Sequence, residues 1–506
     1  MLFNTPGWWA ETIIEPAEAM LTLTGGVPDV VVTENNLITP EPASLTITGG
    51  VPTIGQTVRP AAAQLTLTGG VPTVINGKVI EPTPAHLTLT GGTPTIVQTI
   101  RPAPAVLTLT GGVPTVTVAT PITVGTVGTP GSENTGDLTC SITPASGEDV
   151  LVFAWCIGSA SSCYKGVYGA SPMKCLGRVK LNSGTLTAFL IENVSSGSAT
   201  VTISKSGSDW AQAVALSYAN AVDFRQVKVA KGSGTTASQS ATPGASARSI
   251  GSFTRGGISG NFTSPTGGTN RLNDSSGFVA GTVSDTSTSA TFSASISSSA
   301  NWGGVVVDAL TAAILTPRIN YTGGIWSEVN GGTQTFTVKA AVNDYIVVDM
   351  VQSGGGDPSS VTCAGVAMTL VDTQAFTHPN TSSGFLKRYR SAQITSAGDK
   401  TISITATGSQ WWRAAGCSIS NVTSFGATTK GAGTSSSPAQ SVSCSADQLI
   451  LQSFVTSSAP TELNASNIFD SPGGSQLYLL MNTAEEATAF SIPNSMNWAC
   501  MATVVS

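Results

Sequence analysis

The sequence predicts an all-β protein, with an N-terminal β-repeat shaft followed by two tandem antiparallel β-sandwich domains of jelly-roll type. Three observations carry that expectation. One short phrase, Leu-Thr-Leu-Thr-Gly-Gly-Val-Pro with small changes, is written five times, beginning at Leu21, Leu45, Leu65, Leu87 and Leu107. Beyond residue 130, two stretches of similar length read as copies of one another. Throughout, apolar and polar residues alternate between glycine and serine turns, with almost no helical periodicity.

Residues 1–13 match neither the repeat nor the later copies, and they hold adjacent tryptophans, Trp8 and Trp9, in a Pro-Gly-Trp-Trp-Ala context. Outside a domain able to bury them, two indoles leave an apolar patch in water, and tryptophan is enriched where binding energy concentrates. This segment is therefore expected to dock the shaft to another protein, with capping of the first repeat's core as the competing reading. The N-terminus has no basic stretch and no long apolar core of the secretory type, so synthesis in the cytoplasm without export is expected.

Residues 14–118 are the repeats. Each phrase follows a proline five residues upstream (Pro16, Pro40, Pro60, Pro82, Pro102), and each proline follows a β-branched residue by two positions. The glycine pairs begin at Gly25, Gly49, Gly69, Gly91 and Gly111, so successive intervals are 24, 20, 22 and 20 residues, all even. A hairpin that grows by one residue on each arm keeps every side chain on its own face, which even steps satisfy. In the third unit, Asn76-Gly77 lies between alternating apolar residues, a hairpin-turn signal. Each unit thus reads as a strand, a glycine bend and a proline-marked hairpin. A unit this small cannot offset its own ordering entropy, so neighbouring units or neighbouring chains must complete its core.

After a linker at 119–130, the segments 131–316 and 317–506 repeat one another. Asp149-Val150-Leu151-Val152 answers Asp344-Tyr345-Ile346-Val347, Asn220 and Phe224 answer Asn421 and Phe425, and Ser252-Phe253 answers Ser453-Phe454. Trp210 answers Trp411 and Trp302 answers Trp498; these four are expected as core anchors.

Composition narrows function. Charged residues make up 10% of the chain and the net charge is −6, with 22 lysines and arginines in all, which leaves too little cationic surface for nucleic acid. No run of 18 apolar residues exists to span a membrane. Two histidines, His86 and His378, give a histidine-based triad or metal site little material, and no nucleotide or nucleophile motif stands out. The expectation is no enzyme, no catalytic residue, no metal and no cofactor. The eight cysteines fall four to each copy with none opposite another, so buried thiols are expected rather than an inherited disulfide framework.

One local asymmetry suggests recognition. Lys387-Arg388-Tyr389-Arg390 stands where the earlier copy has Thr187-Ala188-Phe189-Leu190, and Trp412-Arg413 replaces Ala211-Gln212. Arginine beside tyrosine or tryptophan can stack on sugars or pair with anionic groups of a cell-surface polymer. These six residues are the candidate receptor or partner site, against a contact with another subunit.

The Leu-Thr-Leu-Thr-Gly-Gly-x-Pro units, with the phrase Val361-Thr362-Cys363-Ala364-Gly365-Val366-Ala367-Met368-Thr369-Leu370-Val371, resemble segments of appendage and decoration proteins of tailed bacteriophages. The resemblance implies a virion component: a fibre-like homotrimer, attached to other virion proteins through its N-terminus and presenting its C-terminal sandwiches to a host-surface glycan. The alternatives are a capsid or neck decoration protein with a stabilising role, and an exported glycan-binding protein or depolymerase.

Overall fold

The computed structural model describes residues 120–506 apart from 159–162, 206–208, 245–246, 256–261, 275–280, 355, 382, 436, 461–462, 472–476, 494–495 and the side chains of 274 and 409; before residue 120 it describes ten short strands by their backbone. Among the described residues there is no helix, so none is long and apolar enough to cross a membrane. The chain divides into two compact units, residues 1–121 in the main for the first and 122–506 in the main for the second. Trp8, Trp9 and the N-terminal segment lie outside the described residues.

In the first unit each Leu-Thr-Leu-Thr phrase is a strand, and the five strands pair side by side in parallel with no register shift. Leu21 stands opposite Leu45, Leu45 opposite Leu65, Leu65 opposite Leu87 and Leu87 opposite Leu107. The two or three residues after the proline that closes each phrase form a second parallel sheet, in which Asp29, Thr53, Thr73, Thr95 and Thr115 stack in the same way. Successive units of one chain therefore lie on one another, the arrangement of a β-solenoid. The hairpin expected at Asn76-Gly77 falls beyond Thr73–Ile75, outside the described residues.

In the second unit, one strand order recurs four times. In the first sandwich the eight main strands are Thr123–Val127, Leu138–Ile142, Asp149–Ile157, Cys163–Tyr168, Lys174–Leu181, Gly184–Ile191, Ala199–Lys205 and Ala211–Ala219. Counted in that order, one sheet runs 1-8-3-6-5 and the facing sheet 2-7-4, a jelly-roll order with the fifth strand added to the edge of the first sheet. Residues 223–310, 318–420 and 425–505 repeat the 1-8-3-6-5 order. In the second and third of these sandwiches, strands seven and eight run on as one long strand, Ala290–Leu310 and Gly398–Ser420, which crosses from sheet to sheet. Each expected segment thus holds the order twice.

Local details repeat with the order. The fifth strand carries a one-residue bulge against the sixth in every sandwich, at Cys175/Gly177, Asn270/Leu272, Leu370/Asp372 and Asn467/Phe469. Before the third strand, a side-chain oxygen accepts from the amide three residues earlier in three sandwiches. The pairs are Ala145 with Glu148 at 2.9 Å, Ala341 with Asp344 at 2.8 Å and Ser445 with Gln448 at 2.9 Å. Glu148, not Asp149, is therefore the counterpart of Asp344. The match of Asp149 to Asp344 expected from sequence is off by one residue, which in a strand exchanges the two faces.

Sandwiches pack in pairs, first on second and third on fourth, through their 1-8-3-6-5 sheets. Leu151, Phe153 and Trp155 meet Ile250, Val283 and Val305 in one such core; Val347 and Val351 meet Leu451, Val455 and Phe469 in the other. Trp155 is fully buried and donates Nε1–H to the Phe253 carbonyl at 2.9 Å. The expected anchors divide: Trp302 is buried, Trp210 and Trp498 are half-buried, and Trp411 is exposed while its neighbour Trp412 fills the core. Strict alternation along a strand makes adjacent tryptophans face opposite ways. All eight cysteines are free thiols, and burial pushes Cys140 and Cys500 up to about 12.

Candidate functional site

Of the six residues singled out as a recognition cluster, five are buried and Arg390 is half-buried. Arg388 makes a bidentate pair with Asp349, Nε to Oδ1 at 2.8 Å and Nη2 to Oδ2 at 2.7 Å, and both side chains are buried. Its Nη1 also donates to the Leu451 carbonyl and the Thr503 hydroxyl of the fourth sandwich. Trp412 and Tyr389 belong to the core of the third sandwich, Trp412 donating Nε1–H to the Gly331 carbonyl. Arg413 is buried, 3.6 Å from a Glu328 oxygen. Lys387 is buried and ion-paired with Asp357. Arg390 is half-buried over the Phe425 ring, 4.5 Å from its centroid. Strand alternation sends Lys387 and Tyr389 to one face and Arg388 and Arg390 to the other, so the six form no common surface.

A cleft of about 530 Å³ opens between the first and third sandwiches. The first sandwich contributes Lys174 and Glu192; the third contributes Arg318, Asn320, Lys339 and Asp344. The hairpin of strands five and six brings Lys174 beside Glu192, whose two carboxylate oxygens lie 2.8 and 2.7 Å from its Nζ. Across the cleft, the turn before Tyr345 holds Asp344, whose Oδ2 accepts from the Ala341 amide and, at 3.1 Å, from Asn320 Nδ2. That bond leaves Asn320 Oδ1 buried with no hydrogen-bond partner among the described residues.

Burial sets the acidities. It pushes the Asp344 carboxyl up, against the Ala341 and Asn320 hydrogen bonds and the charges of Lys174 and Arg318. Lys174 is pulled down by burial, with Glu192 opposing, and Arg318 is pulled down by burial as well. Just behind the rim, Asp149 is pushed up to about 6, by burial first, against the bond from the Asn193 amide.

Tyr321 and Lys339 also line a second cavity, of about 430 Å³, so the two share a wall. The second cavity has an aromatic wall. Tyr164 of the first sandwich lies 4.2 Å, centroid to centroid, from Trp326, which in turn stacks at 4.3 Å on Phe469 of the fourth. Lys339 Nζ sits 5.2 Å above the Tyr321 ring. An aromatic wall beside interleaved amide, amine and carboxyl groups can hold a polyhydroxylated ligand by ring contact and directed hydrogen bonds. In the sequence Asp344 is an acidic residue ahead of a strand, with no partner for chemistry beside it. Only the approach of residues 174–192 to residues 318–344 turns it into part of a cleft.

Among the described residues no group of three or more histidine, cysteine, aspartate or glutamate side chains comes together to hold a metal ion. His378 is buried and its Nδ1 accepts from the Thr381 amide at 3.3 Å, a local turn contact.

No family model matches the chain, and no curated protein matches it. Among solved structures it is similar to the enzymatically active domain of tailspike protein 4 of bacteriophage CBA120, at 9% identity and a TM-score of 0.10, over 40% of this chain and 44% of that one. It is also similar to the tailspike protein of Acinetobacter phage vB_ApiP_P1, at 9% identity and a TM-score of 0.09, over 38% of this chain and 58% of that one. The chain thus spans about half the length of these structures, and superposition this loose says nothing about the cleft. The expectation that the chain is no enzyme is overturned: a solved structure to which it is similar is itself an enzymatically active domain.

Proposed function

We propose that this chain is a structural component of a phage virion that binds a host-surface glycan in the cleft between its first and third sandwiches. The virion role is supported by the repeat phrases, which stack in register as a spacer-like array, and by the string of jelly-roll sandwiches that follows. Fibre-like attachment through the N-terminal segment is favoured over a purely stabilising decoration role, because the cleft offers a ligand site that decoration does not require. The observation that carries the glycan reading is the cleft itself, where Lys339, Glu192 and Asn320 Oδ1, the last without a hydrogen-bond partner among the described residues, adjoin the Tyr164–Trp326 wall.

The test is calorimetric titration of purified protein with fragments of host lipopolysaccharide and capsular polysaccharide. Binding is expected, with at least tenfold weaker affinity in Asn320→Ala and in Lys339→Ala and an unchanged circular dichroism spectrum. Reducing-end release in the same mixtures reads turnover. Equal affinity in wild type and both variants places the glycan elsewhere, and immunogold labelling of intact particles reads the virion role separately.

A further inference from the structure

The fifth strand is a sheet edge in every sandwich, and within the chain two of these edges meet. The fifth strand of the first sandwich, Lys174–Leu181, pairs antiparallel with that of the fourth, Ser466–Asp470, at Arg178 opposite Asn467. The joint is closed. Cys175 and Leu176 are each 2% exposed, Lys180 and Asp470 form a buried ion pair, and a Cβ on Gly177 would fall 2.1 Å from Ser466 Oγ. Asn467 is fully buried there, its Nδ2 spanning its own bulge to the Phe469 carbonyl at 2.7 Å and the Met481 carbonyl at 3.0 Å.

The other two edges carry the same fittings uncovered. In the third sandwich Leu370 and Val371 take the places of Cys175 and Leu176 beside the same bulge, yet they are 45% and 37% exposed. In the second sandwich Asn270 takes the place of Asn467 and holds the same conformation, with Nδ2 3.1 Å from the Leu272 carbonyl and 3.3 Å from that of Val283, but it is exposed. Among the described residues Thr369–Phe376 pairs only with Gly384–Arg390, and Thr269–Asp274 only with Gly281–Thr286.

The contact inside the chain is heterologous: the first sandwich of one pair meets the fourth, leaving the third and second unpaired. We infer that a second copy of this chain completes the pattern, its Thr269–Asp274 strand pairing with the Thr369–Phe376 strand of the first copy in a head-to-tail contact. Counting from the bulges, the residue equivalent to Arg178 is Thr373 and that equivalent to Asn467 is Asn270, so Thr373 of one chain stands opposite Asn270 of the next. An unpaired strand edge with exposed apolar side chains is the template that such pairing requires. Lys430 Nζ caps this edge, 3.3 Å from the Thr373 carbonyl and 2.7 Å from Asp372 Oδ1, and pairing requires this one exposed side chain to move off the carbonyl.

The experiment mixes full-length Thr373→Cys with full-length Asn270→Cys under mild oxidation. Disulfide-linked dimers are expected in the mixture and a ladder in the double variant, with neither single variant cross-linking beyond the wild-type background. Leu370→Arg, at an exposed site, is expected to raise the dissociation constant at least tenfold by sedimentation while leaving the circular dichroism spectrum unchanged. Two results overturn the inference: self-linking of either single variant, which signals a face-to-face contact, or a folded mixture that yields no linked dimer. Because the cross-link reads one strand pair, association through the repeats does not mimic it.

Discussion

The Asp349–Arg388 pair shows how one position can be solved twice. In the first pair of sandwiches the same places hold Phe153 and Ala188, an apolar filling of the shared core. Removing one member of a buried pair strands the other charge, so Arg388→Ala is expected to cost about 3–5 kcal/mol in urea unfolding. The double variant Asp349→Phe/Arg388→Ala copies the first pair and is expected to lose far less, about 0–2 kcal/mol, mostly for the unmatched Ser453 and Thr503 hydroxyls. Asp149 tests burial by pH. Its folded pKa of about 6 lies above the unfolded value of about 4, so the folded state holds the proton more tightly. Its contribution is full below pH ~4 and is lost as pH rises through ~6, by about 3 kcal/mol. Asp149→Asn should therefore gain on wild type by that amount between these two pH values, measured as the shift in unfolding midpoint.

At the level of elements, sheets face one another closely enough that glycine is required at particular crossings. Gly281 opens the sixth strand of the second sandwich beneath Trp155, and a Cβ there would fall 2.4 Å from the indole Cε2. The indole is fixed by its bond to Phe253, and neither ring nor backbone can yield cheaply. Gly281→Ala is expected to destabilise by about 1–3 kcal/mol, while the same change at exposed Gly136, with nothing near its Cβ direction but a left-handed φ, reports backbone strain alone. Comparing the two in thermal unfolding separates overpacking from conformation.

Across the whole molecule, repetition works at two periods. The solenoid stacks like residues on like, so deleting 65–86, one full interval, rejoins Gln64 to Leu87 and keeps every remaining Leu-Thr-Leu-Thr strand in register. That deletion should leave strand content per residue unchanged by circular dichroism. Deleting 65–75 instead puts half a unit out of phase and should lower it. The sandwiches repeat by packing in pairs and by joining edges, and the cleft exists only because the first and third sandwiches approach.

The sequence by itself determined the all-β class, the repeat phrase and its phase, and the likeness of 131–316 to 317–506, because these rest on periodicity and turn chemistry that each residue carries locally. It aligned Trp210 with Trp411 and Ser252 with Ser453 for the same reason. Three things belonged to the tertiary structure. Alternation along a strand does not say which face is covered, so Arg388 and Trp412 read as a surface cluster and proved to be core. A one-residue choice between Glu148 and Asp149 is invisible until the turn's hydrogen bond fixes it. The cleft gathers residues more than a hundred positions apart, from Lys174 to Asp344, and only the closing of two sandwiches on each other brings those charges within reach.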